Sequence, residues 1–204
     1  SKAVVADAKE HRSSLVARPD APEGSVTTID ADEFAERVNA ESLVICRVNA
    51  PLVGYCLSLI AKGKAATIIG RNVDSYLIEL LDKTWKRQDI TISELRERID
   101  KDRDTKLAKL NERDESNRQE QINDMADTLL ALCWACEHPS EVQPMIESLF
   151  NNNDSNTIRL SSIHRAKGLE AETVFILCPE LLPHPSAELD WELEQEDNLA
   201  YVAK

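Results

Sequence analysis

Four short apolar runs constrain the fold more than any other feature: residues 43–48 (LVICRV), 66–69 (ATII), 157–162 (TIRLSS) and 173–178 (TVFILC). Compact, nearly unbroken apolar runs of this length, rather than alternating ones, mark strands covered on both faces. Between the first two runs, Leu52, Cys56, Leu59 and Ile60 recur at helical spacing and Gly63 stops the helix. Strand, helix, strand in that order predicts a parallel βαβ unit, and so an α/β chain. Residues 25–29 are rich in β-branched side chains and predict a further strand, and Asp32 is placed to cap a helix through about Val38.

The second and third runs are separated by polar, helical sequence, so residues 71–153 read as an all-helical insertion between an N-terminal part (1–70) and a C-terminal part (154–204). Tyr76, Leu77, Leu80, Leu81 and Trp85 form one amphipathic helix. The next stretch carries only a sparse apolar line at Leu95, Ile99, Leu107 and Leu110, which predicts a solvated or coiled-coil-like charged arm, with residues 94–118 available to a protein partner. Ile122, Met125, Leu129, Leu130, Cys133 and Cys136 resume a wide stripe that should pack on the domain, a last helix runs through Ile146 and Phe150, and a polar loop over 151–156 closes the insertion. A turn-like stretch runs through Gly168. Residues 1–24 read as a helix end running into a loop marked by Pro19, Pro22 and Gly24, and residues 181–185 as a Pro-rich loop. Residues 188–202 predict a helix with Leu189, Leu193, Leu199 and Val202 facing inward.

With 204 residues, 42% of them hydrophobic, the chain can bury one substantial core. No apolar run reaches the roughly 18 residues of a membrane span, and the first residues lack a secretory profile, so no membrane partner is expected. Five scattered cysteines do not form a disulfide framework and fit a reducing, cytoplasmic setting. The net charge of −13 weighs against broad phosphate neutralisation. No segment is basic: residues 71–150 carry 12 cations and 18 anions, and residues 151–204 carry 4 and 10. Any nucleic-acid contact then depends on a few placed groups.

Residues 161–170, SSIHRAKGLE, followed by the apolar run TVFIL, carry the most specific pattern. They resemble motif V of superfamily-one DNA helicases of the UvrD, PcrA, Rep and RecB type, whose common form is T-x-H-x-x-K-G-L-E. The match falls on Ser162, His164, Lys167, Gly168, Leu169 and Glu170, with Ser for Thr at the first position. In order and spacing, residues 44–51 (VICRVNAP) resemble the family's strand with an R-x-N ending, and residues 194–203 (EQEDNLAYVA) resemble the start of motif VI, with Asn198 where the family often has Arg.

The resemblance implies a second RecA-like motor domain: a RecA-like parallel sheet with helices on both faces, interrupted by the helical insertion. It implies that Asn49, Ser162 and His164 contact single-stranded DNA, with Arg47 touching DNA or bracing the loop that does. Hydroxyls, amides and imidazoles at strand ends suit a motor that tracks the backbone without reading sequence. The alternatives are a capped turn for Ser162 and Asn49, a satisfied loop histidine for His164 and an ordinary strand-end arginine for Arg47. Gly168, which lets a ligand approach the backbone, and Glu170, a carboxylate for ribose hydroxyls, are implied nucleotide contacts. Lys167 and Tyr201 are supporting residues, Lys167 through a phosphate or, as favoured here, an ion pair that fixes its loop.

No catalytic residue is expected within the chain. The phosphate-binding pattern G-x-x-x-x-G-K-[ST] does not occur, and the motif VI arginine would lie beyond Lys204. ATP and Mg2+ are therefore expected to be held jointly with an N-terminal RecA-like domain, leaving this chain inactive as an ATPase alone. The parent is expected to be an ATP-dependent helicase moving 3′ to 5′ in replication, repair or recombination, associated with the nucleoid if bacterial. Two other readings stand beside it: a non-enzymatic, helicase-derived interaction module, or a subunit of a helicase–nuclease. Cys133-x-x-Cys136 has redox spacing but sits late in a helix, which favours packing, and no metal site is expected.

Overall fold

A computed structural model describes residues 19–20, 23–70, 72–110, 115–150, 156–185, 187 and 189–203. The helix expected before residue 19, most of the loop at 151–156, the start of the C-terminal helix at Glu188, and Lys204 lie outside the described residues.

Four strands, β1 (Leu43–Cys46), β2 (Ala66–Ile69), β3 (Ile158–Ser162) and β4 (Val174–Leu177), form one sheet in the order β2-β3-β1-β4. Every pairing is parallel: Val44 stands opposite Leu160 on one side and Phe175 on the other, and Ile68 stands opposite Leu160. The all-parallel sheet expected from the four apolar runs is present, each strand a residue or two shorter than its run at one or both ends, except β2, which matches. Residues 25–29 form no strand and are mostly exposed. Their β-branched side chains offer little to bury, since only Ile29 packs against the core, and propensity without a packed face does not make a strand.

The helices are α1 (Ala31–Arg37), α2 (Ala50–Ala61), α3 (Val73–Trp85), α4 (Ile92–Leu107), α5 (Glu115–Trp134), α6 (Pro139–Phe150), the single turn α7 (Ile163–Ala166) and α8 (Asp190–Ala203). Helix α1 is capped by Asp30, not Asp32: the Asp30 carboxylate accepts from the backbone N–H groups of Asp32 at 3.0 Å and Glu33 at 2.8 Å.

The strands alternate between two cores. Val44 and Cys46 of β1 join Ile68, Leu160 and Phe175 in a large cluster with α1 to α6, while Leu43 and Ile45 face a smaller one with Ile163 and Ala166 of α7 and Ala203 of α8. Helices thus cover both faces. Leu77, Leu81, Leu95, Ile99, Leu129 and Ile146 are all within the large cluster. The segment inserted in chain order is therefore continuous with the core of the sheet.

The charged stretch is not a free arm over α4. Thr91 and Glu94 form a capping box that starts the helix, and Leu95 and Ile99 are fully buried. Arg103 reaches Asp127 of α5 at 2.8 Å, Lys83 of α3 reaches Asp102 at 2.6 Å, and the Arg96 guanidinium lies 3.7 Å from the ring centroid of Trp134. The mixed charges that suggested a solvated face partly serve as contacts between α4 and its neighbours. Residues 111–114 lie outside the described residues. No helix among the described residues is long and apolar enough to cross a membrane.

Candidate functional site

In a parallel sheet the carboxyl ends of neighbouring strands open onto one edge, where the following loops can place polar groups together. Here β1 leads into Arg47 and Asn49, and the adjacent β3 ends at Ser162, followed by His164 on α7. All four line a cleft of about 820 Å3, to which α3, α5 and α8 also contribute. The DNA-facing residues expected from the sequence are brought together.

Ser162 and Asn49 occupy the N-cap positions of α7 and α2, yet neither side chain makes a capping hydrogen bond. The capped-turn alternative therefore does not describe their side chains. Asn49 binds Asp124 of α5 instead: its backbone N–H donates to Oδ1 at 2.6 Å and its Nδ2 donates to Oδ2 at 2.5 Å. The Asn49 Oδ1 is buried with no hydrogen-bond partner. The His164 side chain is exposed at the surface. Partial desolvation, and then the nearby Arg47 charge, push its pKa below the ordinary histidine value against the pull of Glu120, Glu196 and Asp124.

Arg47 is only 3% exposed and held by two carboxylates. Its Nε donates to Glu196 Oε2 at 2.9 Å and its Nη2 to Glu196 Oε1 at 2.6 Å, while Nη1 and Nη2 reach the two oxygens of Glu120 at 2.5 and 2.9 Å. Burial disfavours the guanidinium's charge, but Glu196 and Glu120 outweigh it and hold the arginine firmly protonated. Its donors face protein carboxylates, so its placement is that of a brace and not of a cation presented to a ligand.

Helix α8 differs most from expectation. Leu189, Leu193 and Val202 are exposed at 54%, 39% and 37%, and of the four predicted inward leucines and valine only Leu199 packs against the smaller core. The buried stripe is Glu192, Glu196, Ala200 and Ala203. A buried guanidinium needs a buried carboxylate, so the helix turns Glu196 inward and follows it with small residues that permit close approach. Glu196 Oε2 also accepts the His184 backbone N–H at 2.9 Å. Burial would raise the Glu196 pKa, but Arg47 and that N–H hold it below the usual carboxylate range.

Gly168 and Glu170 lie outside the cleft, in the loop between α7 and β4. Gly168 has φ +86°, and a Cβ built there meets nothing within 4 Å. The backbone is open to close approach, in a conformation that L side chains avoid. Glu170 is exposed. Lys167 is exposed as well and forms no ion pair among the described residues, so the ion pair favoured from the sequence is not found. Tyr201 is 38% exposed on α8.

Sequence reasoning missed Glu120, Asp124 and Glu196 as site residues. Glu196 stands in the motif VI-like segment, which was a usable signal; Glu120 and Asp124 share one face of α5 at a four-residue spacing, but nothing local links them to β1. Cys133 and Cys136 are buried free thiols, as the packing alternative requires, and burial pushes the Cys133 thiol up to about 12. Among the described residues no group of three or more His, Cys, Asp or Glu side chains is arranged to hold a metal ion.

Residues 82–204, more than half of the chain, match the family model described as the UvrD-like helicase C-terminal domain. That span contains Ser162, His164, Gly168 and Glu170, and begins after Arg47 and Asn49. No curated protein and no solved structure matches the chain.

Proposed function

The chain belongs to the UvrD-like helicase C-terminal domain family, and on that premise we propose that it is the second RecA-like motor domain of an ATP-dependent DNA helicase or translocase. One observation carries the reading: Asn49, Ser162 and His164, from the ends of two adjacent strands, line a single cleft. In this role they contact single-stranded DNA without reading its sequence. Arg47 acts as a positioning residue that ties the end of β1 to α5 and α8.

The nucleotide would meet the separate loop of Gly168 and Glu170. The open backbone at Gly168 and the exposed carboxylate of Glu170 fit one side of an ATP cleft. A preceding RecA-like domain would provide the phosphate-binding loop and Mg2+ ligands, and bound ATP supplies the free energy of closure between the two. The setting is the cytoplasm, in DNA replication, repair or recombination.

A non-enzymatic interaction module is the second reading, favoured by the acidic lining of the cleft, where Glu79, Glu120, Asp124, Glu192 and Glu196 all contribute, and by the net charge of −13. ATP hydrolysis by the intact protein, measured with and without single-stranded DNA, separates the two. Stimulation by DNA supports the motor, and absence of hydrolysis under both conditions supports the module.

A further inference from the structure

We propose that the Asp124 carboxylate stands in for a DNA phosphate at the end of β1, so that a single strand reaches Asn49 only by displacing it. The proposal rests on the DNA-motor reading and adds to it an autoinhibitory contact within the chain, supplied by the helical insertion.

Three observations lead there. The N–H groups that the end of β1 can present to a strand are already taken. The Asn49 backbone N–H donates to Asp124 Oδ1 at 2.6 Å, its Nδ2 donates to Oδ2 at 2.5 Å, and the Ala50 backbone N–H reaches the same carboxylate. Two backbone N–H groups and a side-chain amide around a pair of anionic oxygens are what a phosphate meets at the start of a helix. Asn49 is the N-cap of the 12-residue α2, whose first turn holds no acidic residue, so the anion there comes from α5.

Secondly, the contact is costly to keep. Asn49 is 5% exposed, and with its Nδ2 turned to Asp124 its Oδ1 is buried without a hydrogen-bond partner. Burial, with Glu120 beside it, pushes the Asp124 pKa up against the pull of the three N–H groups. Thirdly, the side chain can leave without the helix. Leu129 and Leu132 of α5 are fully buried and Glu120, one turn before Asp124, is bound to Arg47, so the helix stays in place. Asp124 itself is half-buried and lines the cleft that holds Ser162 and His164. A strand on those two residues brings a phosphate to the same donors, and exchanging one anion for the other leaves the donors paired.

The test measures binding of labelled oligo(dT) to the intact protein by fluorescence anisotropy. Asp124→Asn, which keeps the size of the side chain, and Asp124→Ala should each tighten binding roughly 10- to 100-fold, about the worth of one hydrogen bond to a charged group. Glu79→Gln removes the same charge from an exposed position in the same cleft, and should tighten binding only about 2-fold. In an Asn49→Ala background the gain from Asp124→Asn should shrink, because one of the released donors is gone. His164→Ala is the control for the underlying reading and should weaken binding. Three results would each overturn the proposal while His164→Ala still weakens binding: Asp124 variants that bind no tighter than wild type, equal tightening by Glu79→Gln, or an undiminished gain in the Asn49→Ala background. The DNA reading would then stand without the internal competitor. If His164→Ala binds as the wild type does, the reading beneath the proposal fails too.

Discussion

The Arg47 guanidinium donates through Nε and Nη2 to the buried carboxylate of Glu196, joining the end of the central strand β1 to a helix 149 residues further along the chain. Both partners are nearly inaccessible, at 3% and 5% exposure. Removing Arg47 strands the buried charge of Glu196, at a cost of about 3–5 kcal/mol, whereas removing Glu196 leaves Arg47 paired with Glu120. Arg47→Met should therefore destabilise the chain by about that amount in urea unfolding, and Arg47→Met with Glu196→Leu should recover much of the loss. An Arg47→Met variant within about 1 kcal/mol of wild type, the worth of a surface pair, would show that the pair is not buried in solution.

The acid limb of stability should be set by two opposed carboxylates. Glu196 is held below the usual range, so its contribution is fully present above that range and is lost as the pH falls through its folded-state value. Burial raises Asp124, despite the hydrogen bonds from Asn49, so its contribution has the opposite sign: present when protonated and lost as the pH rises through its folded-state value. Melting temperature should rise more steeply between pH 3 and 6 in Asp124→Asn than in wild type, and less steeply in Glu196→Gln. The reverse order would contradict the two assignments.

His164 should be neutral at pH 7, because desolvation and Arg47 depress its pKa. A DNA phosphate nearby would favour the imidazolium. Affinity of the intact protein for single-stranded DNA should therefore increase as the pH falls below neutrality, and His164→Asn should show no such increase. Equal pH dependence in the two proteins would remove the histidine from the contact.

Burial pushes Cys46, Cys56 and Cys133 up to about 12, whereas Cys178 is only half-buried. A thiol reagent at pH 8 should label Cys178 first in the native chain and all five cysteines after denaturation, as read by mass spectrometry. Rapid native labelling of Cys133 would point to a reactive CWAC motif in place of a packed one.

The sheet was legible because β1 and β2 are buried on both faces and all four strands read as compact apolar runs, independent of their partners. That Ser162 and His164 stand together where β3 ends was legible because both fall in one ordered segment. The orientation of α8 was not. Hydrophobic spacing places Leu189, Leu193 and Val202 inward, but the helix obeys a buried charge on β1, and that charge acts across the fold. For the same reason nothing local marked Glu120 and Asp124: their partners, Arg47 and Asn49, are 73 and 75 residues away. Residues 25–29 failed in the other direction, with β propensity and little apolar surface to bury.

The most direct test of the motor assignment is ATP hydrolysis by the intact protein, titrated with single-stranded DNA in wild type, Glu170→Ala and His164→Ala. A motor domain gives strong stimulation in wild type, a raised KM for ATP in Glu170→Ala, and a higher DNA concentration for half-stimulation in His164→Ala. Hydrolysis that ignores DNA, or no hydrolysis with DNA present, would contradict it.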